Sequence, residues 1–323
     1  MATVVPDFAR WLLTILGGLG ATYYSFKTLS FLRLHFLRSS TLDRYKTNSD
    51  KGSAWTLVTG ATDGIGRGFA EEFAARGFNV FLHGRNEQKL ETLKKRLQEE
   101  HPNIQFRTLI LDAGKEIDNP AAFEKAAKEL SQVNLKALVN NVGGASGLLS
   151  FMALHERPSD QIRTIMDINA RFPIEITKAL LPQLRANTPA LILNVGSTSS
   201  EFGIPYLSIY ASCKAANRAW SRSLASEMQA EGVDIEVPCL WISSVATDNV
   251  PRSASLFVPS ARQLAKYSLQ KIGCGKSTVF AYWAHEIQAN VFWMMPEWLQ
   301  TRAIVDIGKQ EKAEDEERNR KTS

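Results

Sequence analysis

Tyr210 and Lys214 stand four residues apart in Ile209-Tyr210-Ala211-Ser212-Cys213-Lys214-Ala215-Ala216-Asn217, an alanine-rich run without proline or glycine between Ser208 and Ala230. That run reads as helix, where four residues make about one turn and roughly 6 Å of rise, so phenol and ammonium emerge on one face. A free phenol holds its proton too tightly to exchange it readily at neutral pH, and a cation one turn away favours the phenolate. The pair would serve as a general acid. Alone it is weak, because a packed tyrosine beside a solvated lysine gives the same spacing. It becomes chemistry only if the upstream chain supplies a cofactor and a second polar group.

The elements that could position such a pair come in alternation. Ala54 to Thr59 is a short β-biased run ending in Gly60-Ala61-Thr62-Asp63-Gly64-Ile65-Gly66, and a helical pattern follows from Arg67 to Arg76. Strand, glycine turn and helix suit a dinucleotide pyrophosphate: glycines let backbone approach the phosphates, and a helix N-terminus offers unpaired N–H donors. A second strand, Asn79 to His83, leads to Gly84-Arg85-Asn86 and a helix from Glu87 to Glu100. A carboxylate at this strand end would hold the ribose hydroxyls of NAD, whereas Arg85 suits a 2′-phosphate, so NADP (NADPH) is the expected cofactor. A solvated arginine opening the helix is the plainer alternative.

The alternation continues with a strand over Gln105 to Leu111 ending in Asp112, a helix over Ala121 to Leu130 and a strand over Leu135 to Val139. That strand ends in Asn140-Asn141-Val142-Gly143-Gly144, and a further strand, Ala190 to Val195, precedes Ser197. Such a pattern predicts an α/β fold: a single doubly wound parallel-sheet (Rossmann-type) domain with ligands at the carboxyl ends of its strands. Asp112, Asn140 and Ser197 all lie at those ends. Thr198, Ser199 and Ser200 rival Ser197 as the hydroxyl facing a substrate.

The 323 residues carry a net charge of +5 spread over many charges of both signs, and no basic block is interleaved with aromatics. The small excess fits an anionic membrane surface or phosphorylated ligands, and no nucleic-acid partner is expected. Cys213, Cys239 and Cys274 form no CxxC, which suits a reducing compartment without a metal or disulfide framework.

The N-terminus differs. Trp11 to Phe26 carries no charge, and apolar character resumes from Leu29 to Leu37. These 16 residues fall short of the roughly 20 a spanning helix needs. A cleaved signal peptide lacks its basic start, and an interfacial helix lacks its polar face. An N-terminal membrane anchor extended by Tyr23, Tyr24 and Phe26 is the expectation. Lys27, Arg33, Arg38, Arg44 and Lys46 follow it, which puts the rest of the chain on the cytosolic side. The expected division is 1–38 anchor and basic flank, 39–53 polar linker, 54–305 Rossmann-type domain and 306–323 charged tail.

Thr59-Gly-Ala-Thr-Asp-Gly-Ile-Gly66, Asn140-Asn-Val-Gly143, Asn169, Ser197 and Tyr210-x-x-x-Lys214 together resemble the short-chain dehydrogenase/reductase family over roughly Ala54 to Leu299. The Asn-Asn-Val-Gly variant, the N-terminal segment and Pro296-Glu297-Trp298-Leu299 resemble its branch of very-long-chain 3-oxoacyl-CoA reductases and 17β-hydroxysteroid dehydrogenases of the endoplasmic reticulum. The resemblance implies that Tyr210 donates a proton to the substrate carbonyl and Lys214 holds the nicotinamide ribose. It implies that Ser197 binds the carbonyl oxygen and Asn169 positions a water behind Lys214. Gly60, Thr62, Asp63, Gly64, Ile65 and Gly66 would hold the pyrophosphate and Asp112 the adenine, and the Asn140 to Gly143 turn would support the central sheet and the ribose. Val245 and Thr247 would grip the nicotinamide amide, although Ile242 stands where the branch carries a proline.

The implied activity is NADPH-dependent reduction of a lipophilic ketone, most simply 3-oxoacyl-CoA to 3-hydroxyacyl-CoA in fatty acid elongation. A 17-ketosteroid oxidoreductase and a nucleotide-binding scaffold without turnover are the alternatives. Implied partners are an acyl-CoA, the endoplasmic reticulum membrane, and a homo-oligomer or lipid-elongation complex. Gly273-Cys274-Gly275-Lys276-Ser277-Thr278 is no phosphate loop, since Gln270 stands where that motif needs glycine; a turn into the last strand is expected. The aromatic-rich Val279 to Leu299 could cap a substrate channel, rest on a bilayer or pack in the core. The tail from Gly308 reads as a solvated helix or disorder, ending in Arg320-Lys321-Thr322-Ser323, a basic retrieval-like signal.

Overall fold

A computed structural model describes residues 7–144, 148, 151–248 and 252–322. From residue 54 onward strands and helices alternate, as the apolar runs and glycine turns require. The strands β1 (Ala54–Val58), β2 (Asn79–Gly84), β3 (Phe106–Ile110), β4 (Asn134–Asn140), β5 (Ala190–Val195), β6 (Ile235–Glu236), β7 (Cys239–Trp241) and β8 (Thr278–Phe280) form one parallel sheet. Its order is β3-β2-β1-β4-β5-β7-β8, with β6 also paired to β5. β6 and β7 flank Pro238, which has no N–H to give to a ladder.

Helix α1 (Asp7–Leu32) precedes the sheet; α2 (Gly64–Ala75), α3 (Glu87–Glu100), α4 (Pro120–Leu130), α5 (Ser159–Met166), α6 (Phe172–Ala186), α7 (Ser208–Ala230), α8 (Ala261–Gln270), α9 (Trp283–Met294) and α10 (Glu297–Thr322) follow. Successive strand residues point to opposite faces. Val58, Val80, Leu82 and Leu193 therefore pack with Phe69, Phe73 and Leu264 on one side. Leu57, Phe81, Leu138 and Ile192 pack with Phe123, Ile176 and Leu180 on the other. With both faces covered, the strands read as continuous apolar runs. Sequence order reverses between β1 and β4, which opens a crevice at their carboxyl ends where ligands of such sheets bind.

The N-terminal segment departs from expectation. Among the described residues no helix is long and apolar enough to cross a membrane. Three glycines, Gly17, Gly18 and Gly20, with Thr14, Thr22 and Lys27, dilute the apolar run of α1, which buries none of its 26 residues. Residues 1–6 of the expected anchor lie outside the described ones.

The stretch expected as a linker is instead stitched to the domain. Leu42 and Tyr45 are buried, Tyr45 Oη donates to Glu236 at 2.7 Å, and Thr41 N donates to Ile272 O at 3.2 Å. Gly273 and Gly275 have φ of +78° and +74° and form the turn into β8. The charged tail is neither disordered nor wholly solvated: it is α10, folded back so that Asp315 is buried. Ser323, the end of the retrieval-like signal, lies outside the described residues.

Candidate active site

The glycine turn owes its shape to buried polar groups delivered by neighbouring strands. Thr59 Oγ1 donates to Val139 O and accepts from Asn141 N at 2.9 Å and Val142 N at 3.1 Å, so β1 and β4 end in register. Asn141 Nδ2 donates to Thr59 O at 3.0 Å and Gly60 O at 3.3 Å. His83 Nδ1, at the end of β2, accepts from Gly60 N at 3.2 Å. Burial pushes the His83 imidazolium down to about 4, which keeps the ring neutral and able to accept.

Two glycines are obligatory here. Gly60 has a φ of +65°, and a Cβ on Gly66 would fall 2.1 Å from Gly60 O and 2.6 Å from Asn141 Nδ2. The turn can lie against the start of α2 only without that atom. Asp63, expected among the pyrophosphate contacts, caps α2 by accepting from Gly64 N. Thr62 Cγ2 would stand 3.2 Å from a Cβ on Gly84, and exposed Arg85 follows. The turn, the open backbone and Arg85 at the β2 edge fit a dinucleotide with a 2′-phosphate.

Asn140 supports the central sheet, as expected of the turn it opens. Its side-chain amide is buried and donates to Thr177 Oγ1 at 2.9 Å and Asn194 Oδ1 at 2.8 Å, tying β4 to α6 and β5. Asn194 Nδ2 in turn donates to Ser221 Oγ at 2.9 Å on α7. Asp112 Oδ1 accepts from Gly114 N at 3.0 Å and Lys115 N at 3.3 Å, so part of its carboxylate shapes the turn after β3.

On α7, Lys214 is 3% exposed; its Nζ donates to Val195 O at 2.9 Å and lies 5.6 Å from the Tyr210 ring centre. The helical spacing thus brings ammonium and phenol together at the end of β5. Gly143 lines the same spot, since a Cβ there would sit 3.2 Å from Lys214 Nζ and 2.9 Å from Asn169 Oδ1. Asn169 lies in a π-helical turn, Asp167–Arg171, between α5 and α6. Both its amide hydrogens are spent, on Gly144 O and Ile165 O at 2.8 Å each, and its Oδ1 accepts from Gly144 N at 2.8 Å. That side chain fixes the loop after β4.

Four hydroxyls follow β5, and their bonds differ. Ser200 Oγ donates to Ser197 O at 2.7 Å, and Thr198 Oγ1 lies 3.4 Å from Ile242 O. Ser199 is buried and pairs with Ser197 Oγ at 2.9 Å, while Ser199 N donates to the same oxygen at 3.1 Å. Ser197 Oγ therefore accepts twice and keeps its own proton for another oxygen.

Past β7, Ile242 fills the expected proline position with a side chain buried in the core, and Ile242 O accepts from Thr198 N at 2.9 Å. Val245 is buried, and Thr247 reaches over the start of α2: its Cγ2 would touch a Cβ on Gly64 at 3.2 Å. An Arg67–Asp248 ion pair of 3.1 Å fastens this loop to α2. Sequence reasoning missed Thr59, His83 and Asn141 as builders of the turn. Asn141 entered the expectation only as part of the Asn140 to Gly143 turn, without its bonds to Thr59 O and Gly60 O.

A parallel doubly wound sheet with a glycine turn after β1 and a Tyr–Lys pair on the helix after β5 defines a dinucleotide-dependent reductase. A family model described as short chain dehydrogenase matches residues 54–255, and the chain belongs to that family. It is 34% identical over 292 residues to the very-long-chain 3-oxoacyl-CoA reductase of Pyricularia oryzae, covering 88% of this chain and 84% of that one. With the enzyme of the same description from Podospora anserina it shares 32% identity over 313 residues, covering 94% and 88%. Among solved structures it resembles a 7β-hydroxysteroid dehydrogenase (TM-score 0.67, 20% identity, 78% of this chain and 96% of that one). It also resembles a short-chain dehydrogenase from Sphingobium yanoikuyae in complex with NADPH (TM-score 0.59, 22% identity, 76% and 97%). These two likenesses speak to the fold.

Proposed function

We propose that this protein uses NADPH to reduce the 3-oxo group of a long-chain acyl-CoA to a 3-hydroxy group. The observation that carries the chemistry is the buried Lys214 ammonium, held by Val195 O beside the Tyr210 ring and next to the Ser197 hydroxyl loop. When bound, NADPH supplies the hydride to the carbonyl carbon. Tyr210 gives its proton to the carbonyl oxygen, and Ser197 donates a hydrogen bond to the same oxygen as charge develops there. Lys214 uses one N–H on Val195 O and has two left for the ribose and the phenolate. Asn169 is a positioning residue, because its amide pins Gly144 beside the lysine. Arg85 takes the 2′-phosphate, the Gly60–Gly66 turn the pyrophosphate, and Val245 with Thr247 the nicotinamide amide.

The acyl-CoA substrate is favoured by the relatives, which carry the description very-long-chain 3-oxoacyl-CoA reductase over most of their length. We also propose association with the cytosolic face of the endoplasmic reticulum. Phe8, Trp11, Leu19 and Phe26 of α1 stand more than 60% exposed, as do Met294 and Trp298 at the end of α9 and start of α10. Apolar surface on this scale marks an interaction site, and the basic residues after α1 suit anionic headgroups. His35 Nε2, just past α1, contacts Glu286 of α9 at 2.6 Å and so links the two regions.

NADPH oxidation measured with 3-oxoacyl-CoA and with a 17-ketosteroid tests the substrate. A kcat/KM higher for the steroid would replace the reading with a steroid reductase, and no turnover with either would leave only a nucleotide-binding scaffold. Arg85→Asp should shift preference toward NADH, and an unchanged NADPH/NADH ratio would remove the phosphate role. Flotation with anionic vesicles tests the membrane reading: Trp11→Glu with Leu19→Lys should abolish it, and undiminished flotation would contradict it.

A further inference from the structure

The loop that leaves β7 brings Thr247 over the start of α2, and the segment returning through Pro259 lies alongside Ala246, whose N–H donates to Pro259 O at 3.0 Å. Ile242 opens this loop, and unlike proline it leaves its own φ free. Some other group must set the direction of the chain between Ile242 and Val245. That group comes from α9, some forty residues further along.

We propose that His285 is the positioning residue for this loop and thereby sets how tightly the nicotinamide end of the cofactor is held. Its Nδ1 accepts from Ser243 N at 3.2 Å, and its Nε2 donates to Ser244 O at 3.2 Å. One ring thus fixes the donor of one residue and the acceptor of the next, which only a neutral imidazole can do. The ring is fully buried, and that burial pushes its pKa down to about 4. Tyr282, three residues earlier, stacks edge-on against it at 5.2 Å, and Tyr282 Oη donates to Leu256 O at 3.0 Å. Both limbs of the loop are therefore tied to the first turn of α9. His285 would act on the cofactor only through Ser243 and Ser244, the two residues that precede Val245.

The inference rests on the reading that Val245 and Thr247 contact the nicotinamide. It is tested by the dissociation constants of NADPH and of 2′-phospho-ADP-ribose, which lacks the nicotinamide, for the full chain. His285→Phe keeps the volume and loses both hydrogen bonds; it should weaken NADPH about tenfold and leave 2′-phospho-ADP-ribose within about twofold. His285→Asn, whose Oδ1 can still accept from Ser243 N, should recover part of the loss and guards against misfolding of the first variant. Equal weakening of both ligands, or of neither, would overturn the proposal. Thr247→Val separates the two failures. If it removes the NADPH advantage while His285→Phe does not, the histidine role alone is wrong; if it also leaves the advantage intact, the loop contact is wrong and the inference falls with it.

Discussion

The glycine turn and the loops on the proposed substrate side all follow the carboxyl ends of strands, yet buried neutral groups fasten the first and charges on the last helix fasten the second. Around the turn, Thr59, His83 and Asn141 are spaced over 82 residues and converge on Gly60 and its neighbours by uncharged hydrogen bonds. On the substrate side, α10 folds back on three loops. Glu311 pairs with Arg252 of the loop after β7, Lys312 Nζ lies 4.8 Å from the Tyr206 ring centre just before α7, and Asp315 accepts from Phe151 N at 3.0 Å. Buried neutral bonds resist salt but not added volume or lost partners; ion pairs that stay partly open to solvent, as Arg252–Glu311 does, tolerate volume better than screening. Under the proposed function the cofactor would sit in the rigid half, and the substrate would meet the adjustable one.

Adding volume to the rigid half should have the largest effect. Gly66→Ala puts a Cβ into Gly60 O, and overpacking of this kind costs about 1–3 kcal/mol. With the turn displaced, NADPH affinity should fall by roughly a hundredfold or more in a fluorescence titration; an affinity near that of the parent would mean the turn is not the pyrophosphate cradle. Asn141→Ala removes two hydrogen bonds to the turn and should cost about 1–3 kcal/mol in urea unfolding. Asn141→Ala should also weaken NADPH more than Asn140→Ala does, and equal weakening by the two would erase the distinction drawn between these asparagines.

Acid sharpens the contrast. Burial lowers both His83 and His285 to about 4 in the folded chain, so between pH 6.5 and pH 4 the unfolded chain binds more protons. Stability from these rings is complete above the unfolded pKa and is lost as pH falls toward the folded one, at most roughly 2 kcal/mol for each ring by pH 5. Urea unfolding at pH 7 and pH 5 measures this, and His285→Asn should flatten the difference. The smallest effect belongs to the charged clasp. Glu311→Gln should raise KM for the acyl substrate about two- to fivefold and leave NADPH affinity unchanged. Salt at 0.5 M, chosen as roughly the level that screens such pairs, should do the same to the parent but not to the variant; equal salt response in both would remove α10 from the substrate side.

The same division governs what was legible in the residues. β5 and α3 fall at Ala190–Val195 and Glu87–Glu100 as their apolar patterns require, and the Tyr210–Lys214 spacing lands both groups together on α7. Local period and turn chemistry suffice for these. His83, Thr59 and Asn141 carry no local signal, because each is a single polar residue at a strand end whose partner lies 23 to 83 residues away. The tail misled because its charges read as solvated, while its partners, Arg252 and Phe151, lie far back in the chain. The polar stretch before β1 misled likewise, since Tyr45 finds Glu236 only in the folded sheet.

Tyr210→Phe under single-turnover conditions, with NADPH prebound and 3-oxoacyl-CoA added, tests the proton donor most directly. General acid catalysis of this kind contributes about 10²–10⁴-fold, so NADPH oxidation should slow by that factor while NADPH affinity stays within about twofold of the parent. Oxidation at the parent rate would show that the carbonyl oxygen takes its proton from another group.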